Sequence, residues 1–328
     1  MPSPARSNES AARLVTLDDV RAAAARLGSG VHRTPLVSSR TLSRLAGCDL
    51  RLKLESFQRT GSFKIRGAWN RVAALSEEER RQGVVSVSAG NHAQGLACAA
   101  AESSVRAVIV MPETASPAKV AATLGYGAEV VRHGDPKTLV ARARGIAALR
   151  GLTFVHAFDE PEIVAGAGTV GLEIAEDAPD TDVVVAGVGG GGLLSGVAVA
   201  VRGLLPGARV VGVEPEGAPK MARSLEAGRA VALECARTVA DGLAAPFAGA
   251  LTFEHVRALA SGVVLVSDEE ILGAVRLLLE REKILVEPAG AAAVAALLAG
   301  RVPEAKGRRV VAVVSGGNAD LARLREWL

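Results

Sequence analysis

The segment VVVAGVGGGGLLSG (183–196) joins a short apolar run to four consecutive glycines and then to a second apolar run. Only glycine lets successive backbone N–H groups converge on one anion, and a helix that begins directly after such a loop adds the positive end of its dipole. The segment therefore predicts a buried β-strand, a phosphate-binding loop and the first turn of a helix.

The same strand pattern recurs along the chain between longer segments rich in Ala and Leu. Seven further β-branched runs show it: GVVSVS (83–88), VRAVIVMP (105–112), AEVVRHG (128–134), TFVHA (153–157), RVVGVEP (209–215), GVVLVS (262–267) and RRVVAVVSGG (308–317). Strands that alternate with helices predict a parallel α/β fold, and nearly continuous apolar strands predict helices on both faces of the sheet. Helices are also predicted from Ser116 and Pro117 onward and, as a buried helix, in PAGAAAVAALLAG (288–300).

Composition and charge narrow the class of protein. The chain has 328 residues, of which 49% are apolar and 22% charged, and its net charge is +3. A chain of this length can bury a large core and form two lobes. Because acidic and basic residues are interspersed, nucleic-acid binding is not predicted. The apolar run 288–300 is too short to cross a bilayer, so no membrane association is predicted.

Cysteine use and the first residues predict a location in a reducing cytoplasm. Cys48, Cys98 and Cys235 are widely spaced and odd in number, so neither a disulfide framework nor a zinc site is expected. The opening segment MPSPARSNES (1–10) lacks the apolar core of a secretory signal.

Distinctive loops follow four of the predicted strands. They are SAGNHAQG (88–95), GVGGGG (187–192), EPEGAP (214–219) and SGGN (315–318). Ligands of open α/β sheets bind at the carboxyl ends of the strands, so these loops are the expected binding positions.

Two phosphate-containing cofactors fit the glycine loop. Gly187, Gly189 and Gly192 satisfy the G-x-G-x-x-G pattern of dinucleotide-binding folds, and Glu214 lies where a ribose-binding acid would fall. A dinucleotide leaves the lysine segment SFKIRGA (62–68) and the loops SAGNHAQG and SGGN unexplained. Pyridoxal phosphate needs a primary amine, a phosphate cradle and partners for its ring oxygen, ring nitrogen and ring face, and so accounts for all of them.

Each requirement of pyridoxal phosphate has a residue that can meet it. Lys64 is the predicted amine, and Gly189–Gly192 form the predicted phosphate cradle. Asn91 is expected to donate to the ring oxygen, Ser315 to meet the ring nitrogen, and Phe63 to pack near the ring.

In their order, these motifs resemble the threonine/serine dehydratase and serine racemase family of fold type II pyridoxal-phosphate enzymes. The resemblance covers nearly the whole chain: HRTPL (32–36), SFKIRGA, SAGNHAQG, VIVMP (108–112), GVGGGGLLSG (187–196), GVEPEGA (212–218), TVADGLA (238–244), VEPAGAAAVAALL (286–298) and VSGGN (314–318).

The resemblance implies a two-domain, open twisted parallel-sheet α/β fold like that of the tryptophan synthase β chain. Residues 1–75 and 157–328 would form a large cofactor-binding domain, and residues 76–156 a small domain that closes over substrate. The chain ends ten residues after SGGN, which implies that no C-terminal regulatory domain follows.

The resemblance also implies roles for individual residues. Lys64 would bind the cofactor aldehyde as an imine and later remove the Cα proton of the substrate. The remaining implied positions are the phosphate ligands Gly189, Gly190, Gly191, Gly192 and Leu193, the carboxylate-binding amides of Ser88, Ala89, Asn91 and His92, and Glu287 near the cofactor.

Ser315 and Ala89 favour elimination over other reactions at the same carbon. A neutral hydroxyl at the ring nitrogen does not favour a protonated ring, so the cofactor would be a weaker electron sink that favours rapid loss of a β-hydroxyl. In the racemase branch a serine at the position of Ala89 acts as the second acid–base group, and Ala89 has no proton to give.

The predicted function is dehydration and deamination of L-threonine and/or L-serine to a 2-oxo acid and ammonia, by a homodimer or homotetramer. Racemisation of serine and action on phenylserine or 3-hydroxyaspartate are the alternatives. A dinucleotide-dependent oxidoreductase and an amino-acid-sensing binding protein are the more remote ones.

A divalent-cation site is implied for the racemase branch, and this chain departs from its pattern. Glu214 and Ala218 match the implied ligands, but Lys220 stands where an aspartate is required. An ammonium group repels a cation and cannot ligate it, so no magnesium or calcium site is predicted. Either Lys220 replaces the charge of the metal, or a monovalent ion binds elsewhere.

Overall fold

A computed structural model describes residues 13–327, so the opening segment 1–10 lies outside the described residues. Within them, the strands are Leu36–Ser38 (β1), Asp49–Leu54 (β2), Val84–Val87 (β3), Ala107–Pro112 (β4), Glu129–His133 (β5), Thr153–Phe154 (β6), Val183–Gly187 (β7), Arg209–Pro215 (β8), Gly262–Val266 (β9) and Arg309–Val314 (β10). The α-helices are Leu17–Leu27 (α1), Arg40–Ala46 (α2), Lys64–Ala73 (α3), Glu77–Gln82 (α4), Asn91–Glu102 (α5), Pro117–Gly125 (α6), Leu139–Arg150 (α7), Pro161–Asp177 (α8), Gly192–Leu204 (α9), Lys220–Ala227 (α10), Ala250–Leu259 (α11), Asp268–Leu277 (α12), Pro288–Leu298 (α13) and Leu321–Trp327 (α14). No helix within residues 13–327 combines the length and apolar character that crossing a bilayer requires.

The strands form two sheets. The larger has the order β1-β2-β10-β7-β8-β9, and the smaller has the order β5-β4-β3-β6. All pairs are parallel except β1 with β2, which is antiparallel. The parallel α/β fold predicted from the sequence is confirmed, and each of the eight predicted strands is present.

Helices cover both faces of the larger sheet, as the continuous apolar strands predicted. Along β7, Val183 and Val185 pack into one apolar cluster, whereas Val184 and Ala186 pack into another. The first cluster contains residues of α12 and α13, and the second contains residues of α8 and α9. This alternation follows from the two-residue period of a strand. Because helices cover both faces of the sheet, a binding site can form only at the ends of the strands.

Local signals for two helices are confirmed. Ser116 occupies the N-cap position of α6 and Pro117 is its first residue, where the missing N–H of proline has no helical partner to lose. α13 is buried over nearly its whole length, as its lack of polar residues predicted.

A buried ionic network fixes α3, the helix that begins at Lys64. Arg66 is fully buried, and its guanidinium donates to Glu55 at 2.8 Å and to Glu173 at 2.7 Å. Lys53 donates to Glu173 at 2.6 Å. The network joins α3 to β2 and α8 and so fixes the first turn of α3 relative to the larger sheet.

Replacing Arg66 by methionine is expected to lower the free energy of unfolding by about 3 kcal/mol, because Glu55 and Glu173 then lose a buried partner. Denaturant unfolding checks this. The matched control is Arg21→Met, which removes an exposed pair with Asp18 and is expected to change the free energy by less than about 0.5 kcal/mol. Equal stability of the two variants would contradict a structural role for the network.

Candidate active site

A cavity of about 520 Å³ lies where the carboxyl ends of strands from both sheets meet. Its volume lies within the range of ligand-binding pockets. It is lined by every residue that was predicted to bind pyridoxal phosphate or substrate: Phe63, Lys64, Ser88, Ala89, Asn91, His92, Gly189, Gly190, Gly191, Gly192, Leu193, Glu287 and Ser315. The fold therefore brings together groups that are as much as 252 positions apart in the sequence, from Phe63 to Ser315.

Lys64 is the first residue of α3, and its amine reaches into this cavity. Its Nζ donates to the carbonyl of Ala157 at 2.8 Å and lies 5.2 Å from the centre of the Phe63 ring. Burial lowers the pKa of Lys64 to about 8. Since an ordinary lysine has a pKa of about 10.4, a larger fraction of Lys64 is the neutral, nucleophilic amine near neutral pH.

The start of α3 is held beside the end of β10. The Phe63 amide donates to the Ser315 carbonyl at 3.1 Å, and Ser62 forms a bridge with Gly316. Ser315 is buried, with its hydroxyl 3.5 Å from the Ala289 carbonyl. The predicted amine and the predicted ring-nitrogen partner are thus neighbours.

The glycine loop follows β7, and its backbone packs so closely against neighbouring side chains that Gly190 and Gly191 cannot carry side chains of their own. Gly191 has φ +103°, and a Cβ added there would lie 2.7 Å from the Thr252 Cβ. A Cβ on Gly190 would lie 2.3 Å from the Phe158 ring. The first intrahelical bond of α9 runs from the Ser195 amide to the Gly191 carbonyl at 2.9 Å. The amides that precede it are available to an anion, as at other helix N-termini.

A second helix N-terminus faces the same cavity. The first intrahelical bond of α5 runs from the Gln94 amide to the Gly90 carbonyl at 3.4 Å. The amides of Ala89, Asn91 and His92 precede it, which suits the predicted binding of a carboxylate. The Ser88 amide, predicted to share that role, instead donates to the Val110 carbonyl at 3.3 Å.

His92 is a neutral imidazole with one free acceptor. Its Nε2 lies 3.1 Å from the Ser86 hydroxyl, which itself donates to the Val155 carbonyl at 2.7 Å. Nε2 must therefore carry the proton and donate it to Ser86. Burial, followed by the positive charge of Lys64, holds the pKa of His92 well below its ordinary value. Nδ1 is buried and has no hydrogen-bond partner among the described residues, so it offers a lone pair within the site.

Asn91 lies in a chain of side-chain hydrogen bonds. Its Nδ2 donates to Glu287 Oε1 at 2.5 Å, and its Oδ1 accepts from Asn318 Nδ2 at 2.8 Å. The contact of Asn91 with a ring oxygen stays a prediction, since its amide here donates to Glu287. Burial, and then the negative charge of Asp241, raise the pKa of Glu287 to about 7.

The raised pKa of Glu287 makes stability depend on pH. The pKa of Glu287 is about 7 in the folded chain, against a reference value of 4.5. Between pH 4.5 and pH 7 the folded chain therefore keeps a proton that the unfolded chain releases. The stabilisation is fully present below pH 4.5 and is lost as the pH rises through 7. Glu287→Gln, which stays neutral, is therefore expected to be more stable than wild type at pH 8, by about 1–3 kcal/mol.

Denaturant unfolding of cofactor-free protein at pH 5 and pH 8 measures this difference. The gain of Glu287→Gln should shrink toward zero at the lower pH. Glu280→Gln, at an exposed position, serves as the control and should change stability by less than about 0.5 kcal/mol. A gain for Glu287→Gln that is as large at pH 5 as at pH 8 would show that the carboxyl is not protonated in the folded protein.

Sequence reasoning missed an ion pair across the mouth of the cavity. Lys119, on α6, pairs with Asp241, and both side chains line the cavity. A nearby hydrogen bond, from the Ser116 hydroxyl to Asp320 at 3.2 Å, connects the same helix to the last segment of the chain. Asp241 lies within the motif TVADGLA (238–244), but neither that motif nor the sequence around Lys119 indicates the pairing, since lysine on an amphipathic helix and aspartate before glycine are common surface features.

Aromatic residues that no motif indicated form another wall of the cavity. The rings of His156 and Phe158 are 4.5 Å apart, and Phe158 and Phe247 are 5.5 Å apart. His156 Nδ1 accepts hydrogen bonds from the backbone amides of Phe158 and Asp159, at 3.3 and 3.1 Å. These contacts fix Phe158 beneath the glycine loop.

Glu214 and Ala218 lie outside the cavity lining. The Glu214 carboxylate is fully buried and accepts hydrogen bonds from the amides of Met221 and Ala222, both at 2.9 Å. It also pairs with Lys220 at 3.0 Å. Since its oxygens are occupied by the protein, Glu214 is not placed to bind a ribose, and the structure does not support the dinucleotide alternative.

Comparisons with known proteins show the family to which the chain belongs. Residues 27–316 match the family model described as pyridoxal-phosphate dependent enzyme. The L-threonine ammonia-lyase of Thermotoga maritima is 47% identical over 310 residues, covering 94% of this chain and 77% of that protein. The catabolic L-threonine dehydratase TdcB of Escherichia coli K12 is 42% identical over 314 residues, covering 95% of both proteins.

Solved structures show the same architecture. Maize serine racemase superposes with a TM-score of 0.92 at 36% identity, covering 96% of this chain and 97% of that one. The serine racemase of Dictyostelium discoideum superposes with a TM-score of 0.88 at 38% identity, covering 93% and 99%. A solved threonine deaminase superposes with a TM-score of 0.87 at 45% identity, with the same coverage of 93% and 99%. The chain belongs to the family of pyridoxal-phosphate dependent enzymes.

Proposed function

We propose that the protein converts L-threonine, L-serine or both to a 2-oxo acid and ammonia by β-elimination. The observation that carries the proposal is the convergence of the Lys64 amine and the N-termini of α5 and α9 on one cavity. Relatives described as L-threonine ammonia-lyase and L-threonine dehydratase support the reaction class.

The residues of the cavity fit pyridoxal phosphate. The amides ahead of α9 would hold its phosphate, and a side chain at Gly190 or Gly191 would collide with Phe158 or Thr252 and so displace these amides. Lys64 would hold its aldehyde carbon, and Ser315 would meet its ring nitrogen. When bound, pyridoxal phosphate supplies an aldehyde for the substrate nitrogen and a conjugated ring that withdraws electrons from Cα.

The protein supplies positioning and proton transfer. The amides of Ala89, Asn91 and His92, at the positive end of α5, bind the substrate carboxylate and fix which face of Cα meets Lys64. The lowered pKa of Lys64 lets its amine accept the Cα proton near neutral pH. Loss of the β-hydroxyl as water and return of one water to the product then give one 2-oxo acid and one ammonia per amino acid.

Two side chains support elimination rather than racemisation. Ser315 presents a neutral hydroxyl, which would not favour a protonated ring nitrogen, so bound pyridoxal phosphate would withdraw electrons from Cα more weakly. Ala89 lines the cavity with a methyl group, which cannot return a proton to the face opposite Lys64. We therefore propose that D-serine is at most a minor product.

Product analysis of the holoenzyme tests the proposal. With L-threonine, 2-oxobutanoate and ammonia should form in a 1:1 ratio, and L-serine should give pyruvate and ammonia in the same way. Chiral chromatography measures any D-enantiomer, while phenylserine and 3-hydroxyaspartate test for another preferred substrate. D-serine formed faster than pyruvate, or no ammonia from any of the four substrates, would contradict the proposed reaction.

We further propose a division into a large domain of residues 1–75 and 157–328 and a small domain of residues 76–156 that closes over substrate. The Lys119–Asp241 pair and the Ser116–Asp320 hydrogen bond join the two across the mouth of the cavity. Crystal structures with and without a substrate analogue would refute closure if the small domain held the same position in both.

The oligomeric state and the cellular location of the protein are also proposed. We propose a homodimer or homotetramer in the cytoplasm, where a reducing environment suits the free thiols of Cys48, Cys98 and Cys235. Light scattering coupled to gel filtration measures the assembly, and a monomeric holoenzyme would refute this part.

A further inference from the structure

Lys220 lies in an oxygen-lined site that has the form of a cation-binding site. Its Nζ is fully buried and lies 2.8 Å from the Val188 carbonyl, 2.8 Å from the Leu243 carbonyl and 3.2 Å from the Ala218 carbonyl. The fourth oxygen is Glu214 Oε1, at 3.0 Å. Three carbonyls and one carboxylate surround one positive group at hydrogen-bond distance.

The hydrogen bonds of this site favour an ionised pair, whereas burial raises the pKa of Glu214 and lowers that of Lys220. An ammonium carries three N–H donors, and the four oxygens around Lys220 can use all of them, whereas a neutral amine has only two. Glu214 accepts from two backbone amides, which favours its carboxylate form. Each charge is therefore both paired and hydrogen bonded, which a buried ion needs.

The ammonium joins three segments that shape the glycine loop. Val188 directly precedes Gly189, and Leu243 follows Gly242, whose carbonyl would lie 3.0 Å from a Cβ on Gly189. The third segment begins at Glu214, at the end of β8. Lys220 thus connects the entry to the loop, the turn packed against it and the neighbouring strand.

A divalent metal does not fit the residues present. The oxygen ligands of calcium lie at about 2.3–2.6 Å and those of magnesium at about 2.0–2.1 Å, and each ion needs about six or more ligands. Here the centre of the site is occupied by the Nζ of the chain itself. Compared with the racemase pattern, this chain therefore lacks the aspartate ligand and also carries a positive charge, the Lys220 ammonium, at the centre of the site.

We propose that the Lys220 ammonium takes the place of a bound metal ion and keeps the phosphate cradle in its binding shape. Lys220 is then a positioning residue that acts on the cofactor through Val188 and Leu243. The inference rests on the assignment of the glycine loop as the phosphate cradle and goes beyond the proposed reaction.

The first test uses the wild-type protein and requires no substitution. Its affinity for pyridoxal phosphate, measured by absorbance titration after cofactor removal, should be the same with EDTA, magnesium or calcium. It should also be the same when potassium is exchanged for tetramethylammonium at constant ionic strength. A requirement for any of these metal ions would overturn the proposal, because the site would then not supply its own charge.

Variants of Lys220 provide the second test. Lys220→Met removes the charge but fills the space, and the dissociation constant for pyridoxal phosphate should rise by about 10- to 100-fold without response to cations. Lys220→Ala should weaken binding similarly, but potassium or ammonium should restore it saturably, since the four oxygens then surround an open site of suitable size. Tetramethylammonium, which is too large for the site, should not.

Lys53→Ala is the matched control, since Lys53 is another fully buried lysine, paired with Glu173 and outside the cavity lining. It should lower stability without making cofactor affinity depend on cations. The proposal would be overturned if Lys220→Met bound pyridoxal phosphate as tightly as wild type. It would also be overturned if no cation changed the cofactor affinity of Lys220→Ala, as expected for Lys53→Ala. Should a side chain at Gly191 also leave cofactor affinity intact, the cradle assignment itself fails, which separates the two failures.

Discussion

Lys64→Ala is expected to lower kcat for ammonia release from L-threonine by about 10⁴-fold or more, because it removes the residue that we propose as both the covalent anchor of the cofactor and the base at Cα. No second lysine is placed to substitute for it among the described residues, since Lys119, which also lines the cavity, is paired with Asp241. Steady-state measurement of 2-oxobutanoate formation gives the size of the loss.

Two controls separate the amine from its charge and from general effects of lysine removal. Lys64→Arg keeps a positive charge but has no primary amine, and it should be as inactive as Lys64→Ala. Lys306→Ala, at an exposed position, should keep wild-type activity. Activity of Lys64→Arg within tenfold of wild type would mean that charge at this position is what matters.

Gly191→Val is expected to raise the dissociation constant for pyridoxal phosphate by about 10³-fold. A β-branched residue at φ +103° is strained, and its Cβ would lie 2.7 Å from Thr252 and 2.8 Å from Met221. Relief of either contact moves the amides that would hold the phosphate. Absorbance titration of cofactor-free protein measures the effect.

The control for Gly191 is the same substitution at Gly228, which has φ +67° at the end of α10 and no atom within 4 Å of an added Cβ. Gly228→Val carries backbone strain without a clash and lies outside the cavity lining. It should lose stability and keep wild-type cofactor affinity. If both variants bind the cofactor alike, the loop after β7 is not the phosphate site.

The apolar strands were predictable from sequence because burial on both faces leaves a nearly unbroken β-branched run. β1 has only three residues, too few to show a pattern, and β2 was missed because it is not a continuous apolar run. Half of the residues in β2 are charged. Lys53 is nevertheless fully buried there, because Glu173, 120 positions later, neutralises its charge. A local pattern carries no information about a partner that only the tertiary fold brings near.

In the site too, some features could be predicted from local sequence and others depend on partners that are distant in the sequence. Motifs at strand ends predicted which groups would meet, because the carboxyl ends of parallel strands share an edge. The partners of those groups were not predictable. Asn91 donates to Glu287, 196 positions away, and the Ser88 amide remains in the sheet hydrogen bonding. For Lys220 the sequence excluded metal ligation, but the four oxygens around its ammonium appear only once three separate segments are packed together.

Every proposal on the reaction depends on pyridoxal phosphate being joined to the Lys64 amine in the resting enzyme. Borohydride reduction of the holoenzyme, followed by proteolysis and mass spectrometry, tests it most directly. We expect one phosphopyridoxyl group per chain, on the peptide that contains Lys64. The label on any other lysine, with the Lys64 peptide unmodified in cofactor-loaded protein, would contradict it.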